Sequence, residues 1–522
     1  MRKPTATREP RNAGALATDA DRAVSRRWIL AALMLTMMLA AMDSTIVSTA
    51  IPQIVGDLGR FALFTWVFSI YLLAQTVTIP IYGKLADLYG RKPILIVGAL
   101  IFLGGSAASA ASWSMVTLIV FRGLQGLGAG SIMATVNTLA GDLYSVRERA
   151  RIQGWLSSVW GIAAIVGPTL GGAFAEYASW RWIFLINLPI GAAAIALIAI
   201  FLHERVAHRR HRIDFAGAGL VLTAVGALIF GLLQGGQAWP WLSVPSMIVF
   251  ATAAVLILAT IRVERHAAEP IMSGWLWRRH VLAGPNLAMV GMGLVMMGPM
   301  AYLPTFAQSV LGLGAIAAGF VLAAMSVGWP LASSLSGRLY MRIGFRDTAL
   351  GGAVLIIVAA AGFLALPYPG PTWAVVLDQC ALGAGFGLLS TPLLVGVQSV
   401  VGWERRGVVT GANMFSRYLG QSLGAAVFGA IFNAAVGSQL VDAPALLHAQ
   451  LPRNINAVIA ALHGHRLADA AERYLRHAIY VATHHIYAGL VVVALVTLVI
   501  VLATPRHFPV TGESEDSRNQ PV

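Results

Sequence analysis

Few of the residues in this chain are charged, and only one is a cysteine. Asp, Glu, Lys and Arg make up 11% of its 522 residues, whereas hydrophobic residues make up 57%. Since soluble domains carry about 25% charged residues, this composition excludes an ordinary soluble protein. The single cysteine, Cys380, lies in an apolar segment, which excludes a disulfide framework or a thiolate metal site within one chain.

Signatures of nucleotide and zinc chemistry are missing as well. No Gly-x-x-x-x-Gly-Lys-Ser/Thr loop is present, since Gly83-Lys84 is followed by Leu85, so ATP is not expected as an energy source. The run that begins at His203 has one residue too many between its histidines for the zinc hydrolase spacing. We therefore expect no metal site, no cofactor and no enzymatic activity.

Long apolar stretches fill most of the chain. A transmembrane helix needs about 20 consecutive apolar residues to cross the hydrocarbon core of a bilayer. The sequence therefore predicts an all-α polytopic membrane protein surrounded by lipid. Its fourteen predicted spanners cover residues 28–48, 64–82, 94–112, 115–140, 155–176, 182–202, 215–234, 245–261, 283–308, 315–336, 348–366, 372–400, 411–435 and 483–503.

Positive charges are unevenly divided between the two sides of the predicted membrane. The short loops on one side hold nineteen Lys and Arg residues, whereas those on the other side hold only Arg60 and Arg181. Because cytoplasmic loops carry the excess of Lys and Arg, both chain ends are predicted to be cytoplasmic, in the inner (cell) membrane. The net charge of +14 is then explained by the orientation of the chain in the membrane and not by nucleic-acid binding. Residues 1–27 and the following apolar run lack a cleavage site, which predicts an uncleaved first spanner.

Two pairs of similar segments indicate an internal repeat. Residues 337–346 are a degraded copy of residues 83–93 that lacks the Asp, and residues 378–387 echo residues 122–130. Parallel repeats are typical of transporters whose substrate sites lie between the halves near mid-membrane. The predicted organisation is a cytoplasmic tail 1–27, a first six-helix half 28–202, an inserted helix pair 203–262, a second six-helix half 263–435 and 483–503, a long outside loop 436–482 and a cytoplasmic tail 504–522.

The long outside loop carries the least specific signals. The spacing of Ala471, Leu475 and Ile479 predicts an amphipathic helix that runs into the last spanner. Half of the histidines lie in or just after this loop without a recognised ligand spacing, so a solvated surface is favoured over metal binding or proton sensing. Docking of a periplasmic adaptor on residues 436–482 stays open, and we expect a monomer. The histidines are His448, His463, His465, His477, His484 and His485.

A short polar stretch between two apolar runs, Gly-Lys-Leu-Ala-Asp-Leu-Tyr-Gly-Arg-Lys-Pro, is predicted to form a tight inside loop. Gly83 and Gly90 can take the positive φ of a sharp connection, and Pro93 can open the next helix. The stretch closely resembles the signature loop of the major facilitator superfamily, usually written Gly-x-Leu-Ala-Asp-x-x-Gly-Arg-Lys. The resemblance implies that Asp87, with Arg91 beside it, braces one conformation against the second half.

Three further stretches resemble one branch of that superfamily, the drug:proton antiporters with fourteen spanners. The run Met-Asp-Ser-Thr-Ile-Val-Ser-Thr-Ala-Ile-Pro around Asp43 resembles their first-helix motif, and Arg122 with its glycines matches a fourth-helix motif linked to proton coupling. A third stretch matches the fifth-helix motif of exporters, and its Pro168 and small residues predict a pliable contact between the halves. The motif residues are Gly161, Gly167, Pro168, Gly171 and Gly172.

Charges inside predicted spanners are the main functional candidates, because they are costly in hydrocarbon. At 1.5 Å per residue, Asp43, Arg122 and Asp378 fall at a similar level in the outer half of the membrane and could share one polar cavity. Arg417 lies nearer the inner face. An Asp beside an Arg in such a cavity can be poised to exchange protons with substrate. A fixed ion pair that holds helices together is the alternative.

Uncharged polar residues inside spanners complete the candidate site. Each could line the cavity or form an interhelical hydrogen bond, and the sequence does not separate these interpretations. The residues are Gln75, Asn137, Gln308, Gln398 and Gln421.

The resemblance implies the major facilitator fold, with two six-helix pseudo-repeats plus two inserted helices. It also implies a proton-driven exporter of lipophilic, often cationic small molecules that works by alternating access. A narrow exporter of one metabolite, lipid or siderophore is the alternative, and a non-transporting membrane sensor is a second.

Overall fold

The computed structural model describes residues 19–60, 63–204, 215–236, 239–267, 270–271, 274–444, 447, 451–452 and 468–509. These residues form α-helices, with short 3-10 turns at Val47–Ala50 and Trp403–Arg405. The two predicted tails, the link that precedes the inserted pair and most of the predicted outside loop lie partly or wholly outside the described residues.

The helices of the first half and the inserted pair alternate with short connections. They are α1 (Asp19–Ile46), α2 (Ile51–Leu58), α3 (Phe64–Tyr89), α4 (Arg91–Ala110), α5 (Met115–Leu143), α6 (Val146–Tyr177), α7 (Trp182–Leu185), α8 (Asn187–Phe201), α9 (Phe215–Gln234) and α10 (Val244–Glu264). The remaining helices are α11 (Trp275–Arg278), α12 (His280–Ser309), α13 (Ala315–Ile343), α14 (Phe345–Leu364), α15 (Thr372–Ser399), α16 (Arg406–Val441) and α17 (Asp469–Ala503).

The predicted fold class is confirmed. Among the described residues, 13 helical stretches are long and apolar enough to cross a membrane. The fourteenth predicted spanner is α9, whose apolar part, Gly217–Leu232, is shorter. The predicted amphipathic helix is also present, since α17 begins at Asp469 and runs without a break through the last spanner.

The repeat predicted from sequence has a structural counterpart at two tight turns. Gly90 separates α3 from α4 with a φ of 96°, and Gly344 separates α13 from α14 with a φ of 92°. This left-handed backbone favours glycine, because a Cβ would be strained there. The backbone N–H groups of Arg91 and Lys92 donate to the carboxylate of Glu204 at 2.9 and 2.8 Å, which caps the start of α4.

Two helix pairs join the halves. The α3 helix packs against α16, and α6 packs against α13. The core of the first half takes in Met414, Phe415 and Tyr418 from α16, so the two bundles share apolar contacts along their boundary. The inserted helices α9 and α10 pack on each other, and α9 also contacts α3 and α16 at the edge of that boundary.

Glycines allow the helices of the first half to approach closely. A Cβ added at Gly128 of α5 would lie 2.4 Å from the backbone nitrogen of Phe102 in α4. A Cβ at Gly104 of α4 would meet nothing within 4 Å. Close backbone contact through small residues is the main packing device in membranes, where lipid is as apolar as the side chains.

We therefore expect Gly128→Val to destabilise the protein by about 1–3 kcal/mol, because the backbones of α4 and α5 would have to separate. The matched substitution Gly104→Val has the same effect on helix propensity without the clash. Thermal unfolding of both variants in detergent checks this, and equal unfolding temperatures would contradict the packing described here.

Candidate functional site

A buried ion pair lies in the first half. The Nη1 atom of Arg122 (α5) donates to Oδ2 of Asp43 (α1) at 2.5 Å, and both side chains are 0% exposed. Arg122 also donates from Nε to the Val67 carbonyl at 3.2 Å. The ring of Tyr71 lies under the guanidinium, 4.2 Å from its carbon. The structure thus brings together two of the three charges that the sequence placed at one level.

Gln125 completes this pair, and sequence reasoning missed it. Its Oε1 accepts from Arg122 at 2.7 Å, and its Nε2 donates to Oδ1 of Asp43 at 2.8 Å. The signal was present in the sequence, because residues three apart on a helix share one face. The Asp43–Arg122–Gln125 cluster is therefore a closed ring of hydrogen bonds in which the amide contacts both charges.

A polar chain continues from this cluster towards α8. The Nε2 atom of Gln125 lies 3.3 Å from Oγ of Ser106, which also accepts from Nδ2 of Asn187 at 3.0 Å. Oδ1 of Asn187 and Nη2 of Arg122 have no hydrogen-bond partner within the described part of the chain. Among the described residues, the cluster and its polar chain therefore keep one unused donor, Nη2, and one unused acceptor, Oδ1.

Asp378 does not join the cluster, so the expectation of one cavity for all three charges is not supported. Its carboxylate accepts from Gln379 at 3.0 Å, and the same amide donates to the hydroxyl of Tyr487 at 2.8 Å. These contacts all lie in the second half, on α15 and α17. Depth along the helix does not fix the direction of a side chain, and Asp378 faces its own bundle.

Arg417 is also separate from the pair. It lies on α16 with its guanidinium carbon 5.1 Å from the centre of the Tyr418 ring and its side chain largely buried. This is a contact within one helix.

The signature loop meets the second half at one end of the bundle, the end that the sequence predicts to be cytoplasmic. The two oxygens of Asp87 accept from the backbone N–H groups of Gly407 and Val408, each at 2.8 Å. These groups belong to the first turn of α16, where unpaired N–H groups and the helix dipole favour an anion. The carboxylate thus caps a helix of the opposite half.

Gly83 differs from its predicted role. It lies inside α3 and not at a positive φ, and a Cβ there would lie 2.6 Å from the carbonyl of Gly407. Glycine is needed because α3 and α16 touch backbone to backbone. Gly90 does take the positive φ that the sequence predicted.

Arg91 links the Asp87 contact to two more groups. It donates to Asp87 at 2.7 Å and forms an ion pair with Asp142 of α5 at 2.9 Å. It also donates to the carbonyl of Trp403 and stacks 3.6 Å from the centre of that ring. Arg406 of α16 donates to Asp142 at 2.6 Å. This network holds the C-terminal ends of α3 and α5 and the start of α4 to α16.

The fifth-helix motif contacts both halves. Gly161 lies against Ser326 of α13, where an added Cβ would be 3.1 Å from the serine Cβ. Gly167 instead lies against Thr45 of α1, whose hydroxyl donates to the Ala163 carbonyl at 2.9 Å. Pro168 lies inside α6, Gly171 is buried, and Gly172 has open space beside it. The motif therefore packs on the helix that carries Asp43.

The predicted polar residues have different surroundings. Nε2 of Gln398 donates to the Asn137 carbonyl in the opposite half at 3.1 Å, so this pair is an interhelical contact between halves. Gln421 donates to the sulfur of Met296 at 3.4 Å. Gln75 is buried on α3 and Gln308 is half-buried on α12.

A titratable contact outside the membrane-spanning helices joins α2 to the residues between α6 and α7. Asp57, at the end of α2, accepts from Nε1 of Trp180 at 2.9 Å and from Arg181 at 3.2 Å. The hydrogen bond from Trp180 and then that from Arg181 lower the pKa of Asp57 below its usual value. This link between the outer ends of the first half therefore keeps its charge in mildly acidic medium.

Two helical bundles, joined by a loop carboxylate that caps a helix of the other bundle, define a polytopic transporter fold built from a parallel repeat. The chain belongs to the Major Facilitator Superfamily, whose family model matches residues 33–425. The resemblance found in the sequence is confirmed.

Known proteins agree with this assignment. The chain is 34% identical over 442 residues to the Multidrug transporter protein MdtP of Bacillus subtilis, covering 84% of this chain and 81% of the relative. It is 34% identical over 429 residues to Multidrug resistance protein 3 of the same organism, covering 82% and 83%. The human organic anion transporter MFSD10 (TETRAN) superposes with a TM-score of 0.61 at 13% identity, over 91% of this chain and 99% of that one, which shows the shared fold.

We expect Asp87→Asn to insert normally but to lower transport by about tenfold, since an amide cannot accept from both N–H groups of α16 and loses the charge-assisted bonds. Ethidium efflux from cells, normalised to the amount of protein in the membrane, measures this. Asp57→Asn, at an exposed position on the opposite side, is the matched control. Loss of membrane insertion by Asp87→Asn alone would show that the contact serves folding instead.

Proposed function

We propose that this transporter exports lipophilic, often cationic compounds in exchange for protons. It acts in the cytoplasmic membrane as a monomer with both chain ends inside. The observation that carries the proposal is the buried Asp43–Arg122–Gln125 cluster: a carboxylate without solvent contact, paired with one cation and one amide. The multidrug names of the relatives support the substrate class.

The cluster supplies the chemistry that an antiporter needs. A proton that binds Asp43 removes its charge and weakens both the ion pair and the bond from Gln125. A cationic substrate near Asp43 favours the charged carboxylate and so the loss of that proton. Proton and cation therefore compete for one group, and this competition is the basis of exchange.

The surrounding contacts connect the cluster to a conformational change. Thr45 lies half a helical turn from Asp43 and touches α6 at Gly167, while Gly161 of the same helix touches the second half. A rearrangement at Asp43 is thus transmitted through α6 to the boundary between halves. The Asp87 contact with α16 stabilises the state in which the cytoplasmic ends are together.

Proton release from energised inverted vesicles tests the exchange. Ethidium, tetraphenylphosphonium and a benzalkonium compound are added in turn, and a pH-sensitive dye in the vesicles reports proton efflux. We expect the wild type to respond to several of these cations, and Asp43→Asn to abolish the response while cation binding persists more weakly and without pH dependence. Asp378→Asn is the matched control, because it removes a membrane carboxylate that lies outside the cluster.

Because Asp43→Asn leaves Arg122 unpaired in the membrane, and an unpaired buried charge can cost 3–5 kcal/mol, the double variant Asp43→Asn with Arg122→Gln is included. It should restore the folded amount without restoring exchange. Full proton-coupled export by Asp43→Asn would remove this residue from the mechanism. If the wild type is folded but releases no protons with any of the three cations, a narrow metabolite exporter or a sensor would be favoured.

A further inference from the structure

The residues that follow α17 return under the cytoplasmic end of the bundle. Phe508 is only 5% exposed and belongs to an apolar cluster with Tyr340, Phe345, Val395 and Ala150. Ring centres lie 5.4 Å apart between Phe508 and Phe345, and 4.8 Å apart between Phe345 and Tyr340. Ala150 belongs to α6 of the first half, whereas the other members belong to the second half. The Phe508 cluster therefore lies at the boundary between the halves.

An ion pair fixes this segment to the second half. Nε and Nη2 of Arg506 lie 3.0 and 2.9 Å from Oδ2 of Asp347, in the first turn of α14. The ring of Phe508 in turn lies against Gly396 of α15, where an added Cβ would be 3.0 Å from the ring. The segment Arg506–Phe508 therefore has two attachments to one half, one charged and one aromatic.

The Phe508 cluster lies where the second half lacks the carboxylate that the loop of the first half carries. In the first half, Asp87 caps α16 of the other half. The corresponding loop of the second half, residues 337–346, has no Asp. Instead, the hydroxyl of Tyr340 donates to the carbonyl of Val146 in the first turn of α6. The α6–α13 boundary is therefore closed by this hydrogen bond and by apolar contacts, where the α3–α16 boundary is closed by a carboxylate.

We propose that Arg506–Phe508 is a latch on the α6–α13 boundary, in which Phe508 supports Phe345 and Tyr340, and the whole cluster takes the place of the missing carboxylate in holding the cytoplasmic ends together. Opening towards the cytoplasm would separate α6 from α13, so Ala150 of α6 would leave the Phe508 cluster while Arg506 keeps the segment on α14. The apolar burial of this cluster against Ala150 exists only in the closed state and therefore favours that state. The inference rests on alternating access by this fold, but not on proton coupling or on the substrate.

Spin labels across this boundary test the latch directly. Cysteines replace the exposed residues Arg151 on α6 and Arg342 on α13, in a full-length protein that carries Cys380→Ser. Pulsed electron resonance then gives the distribution of distances between the two labels. We expect Phe508→Ala to raise the population of long distances by roughly threefold or more, the scale of losing part of a buried aromatic contact. His507→Ala, which alters an exposed neighbour, should leave the distribution unchanged.

A second variant keeps the test decisive if Phe508→Ala folds poorly. Asp347→Asn weakens the attachment of Arg506 without touching the apolar cluster, and should shift the distances in the same direction by a smaller factor. An unchanged distribution in both variants would overturn the proposal. A lower unfolding temperature with an unchanged distribution would overturn it too, because Phe508 would then only stabilise the fold. Loss of proton exchange in the vesicle assay would leave this distance measurement unaffected.

Discussion

A buried charge inside a membrane protein requires a partner, and the pairing of Asp43 with Arg122 meets this constraint in the first half. Either charge alone would cost several kcal/mol at a position without solvent contact. The pair fixes how α1 and α5 face each other, and Gln125 and Tyr71 enclose it from α5 and α3. A group that changes its protonation here alters the contact between helices as well as the local charge.

The halves meet at the end of the bundle that carries the signature loop through two boundaries with different chemistry. One is polar, with the Asp87 carboxylate on the N-terminus of α16 and Arg91 joined to Asp142. The other is mostly apolar, with Ala150 of α6 in one cluster with Tyr340, Phe345 and Phe508, and one hydrogen bond from Tyr340 to the Val146 carbonyl. The repeat therefore supplies two similar interfaces whose stability depends on different conditions: the polar boundary responds to charge changes, and the apolar one to changes in packed volume.

Much of this architecture could be predicted, because membrane insertion constrains where apolar runs and Lys and Arg residues occur in the sequence. The loop motif and its Asp87 were recognised by their resemblance to the signature loop of the superfamily. The role of Gly83 was not, since a backbone contact between α3 and α16 leaves no local signal. Depth along a helix suggested that Asp378 would join Asp43, but the direction of a side chain around its helix depends on packing. Phe508 could not be found at all, because its contacts come from distant parts of the sequence.

The central claim is that proton and cation compete for the Asp43–Arg122–Gln125 cluster. Calorimetric titration of the purified protein with tetraphenylphosphonium, repeated in two buffers of different ionisation enthalpy, measures the number of protons released on binding. By linkage, competition requires that binding release about one proton and that affinity fall as the pH is lowered. A binding heat that is the same in both buffers, with an affinity independent of pH, would contradict the account.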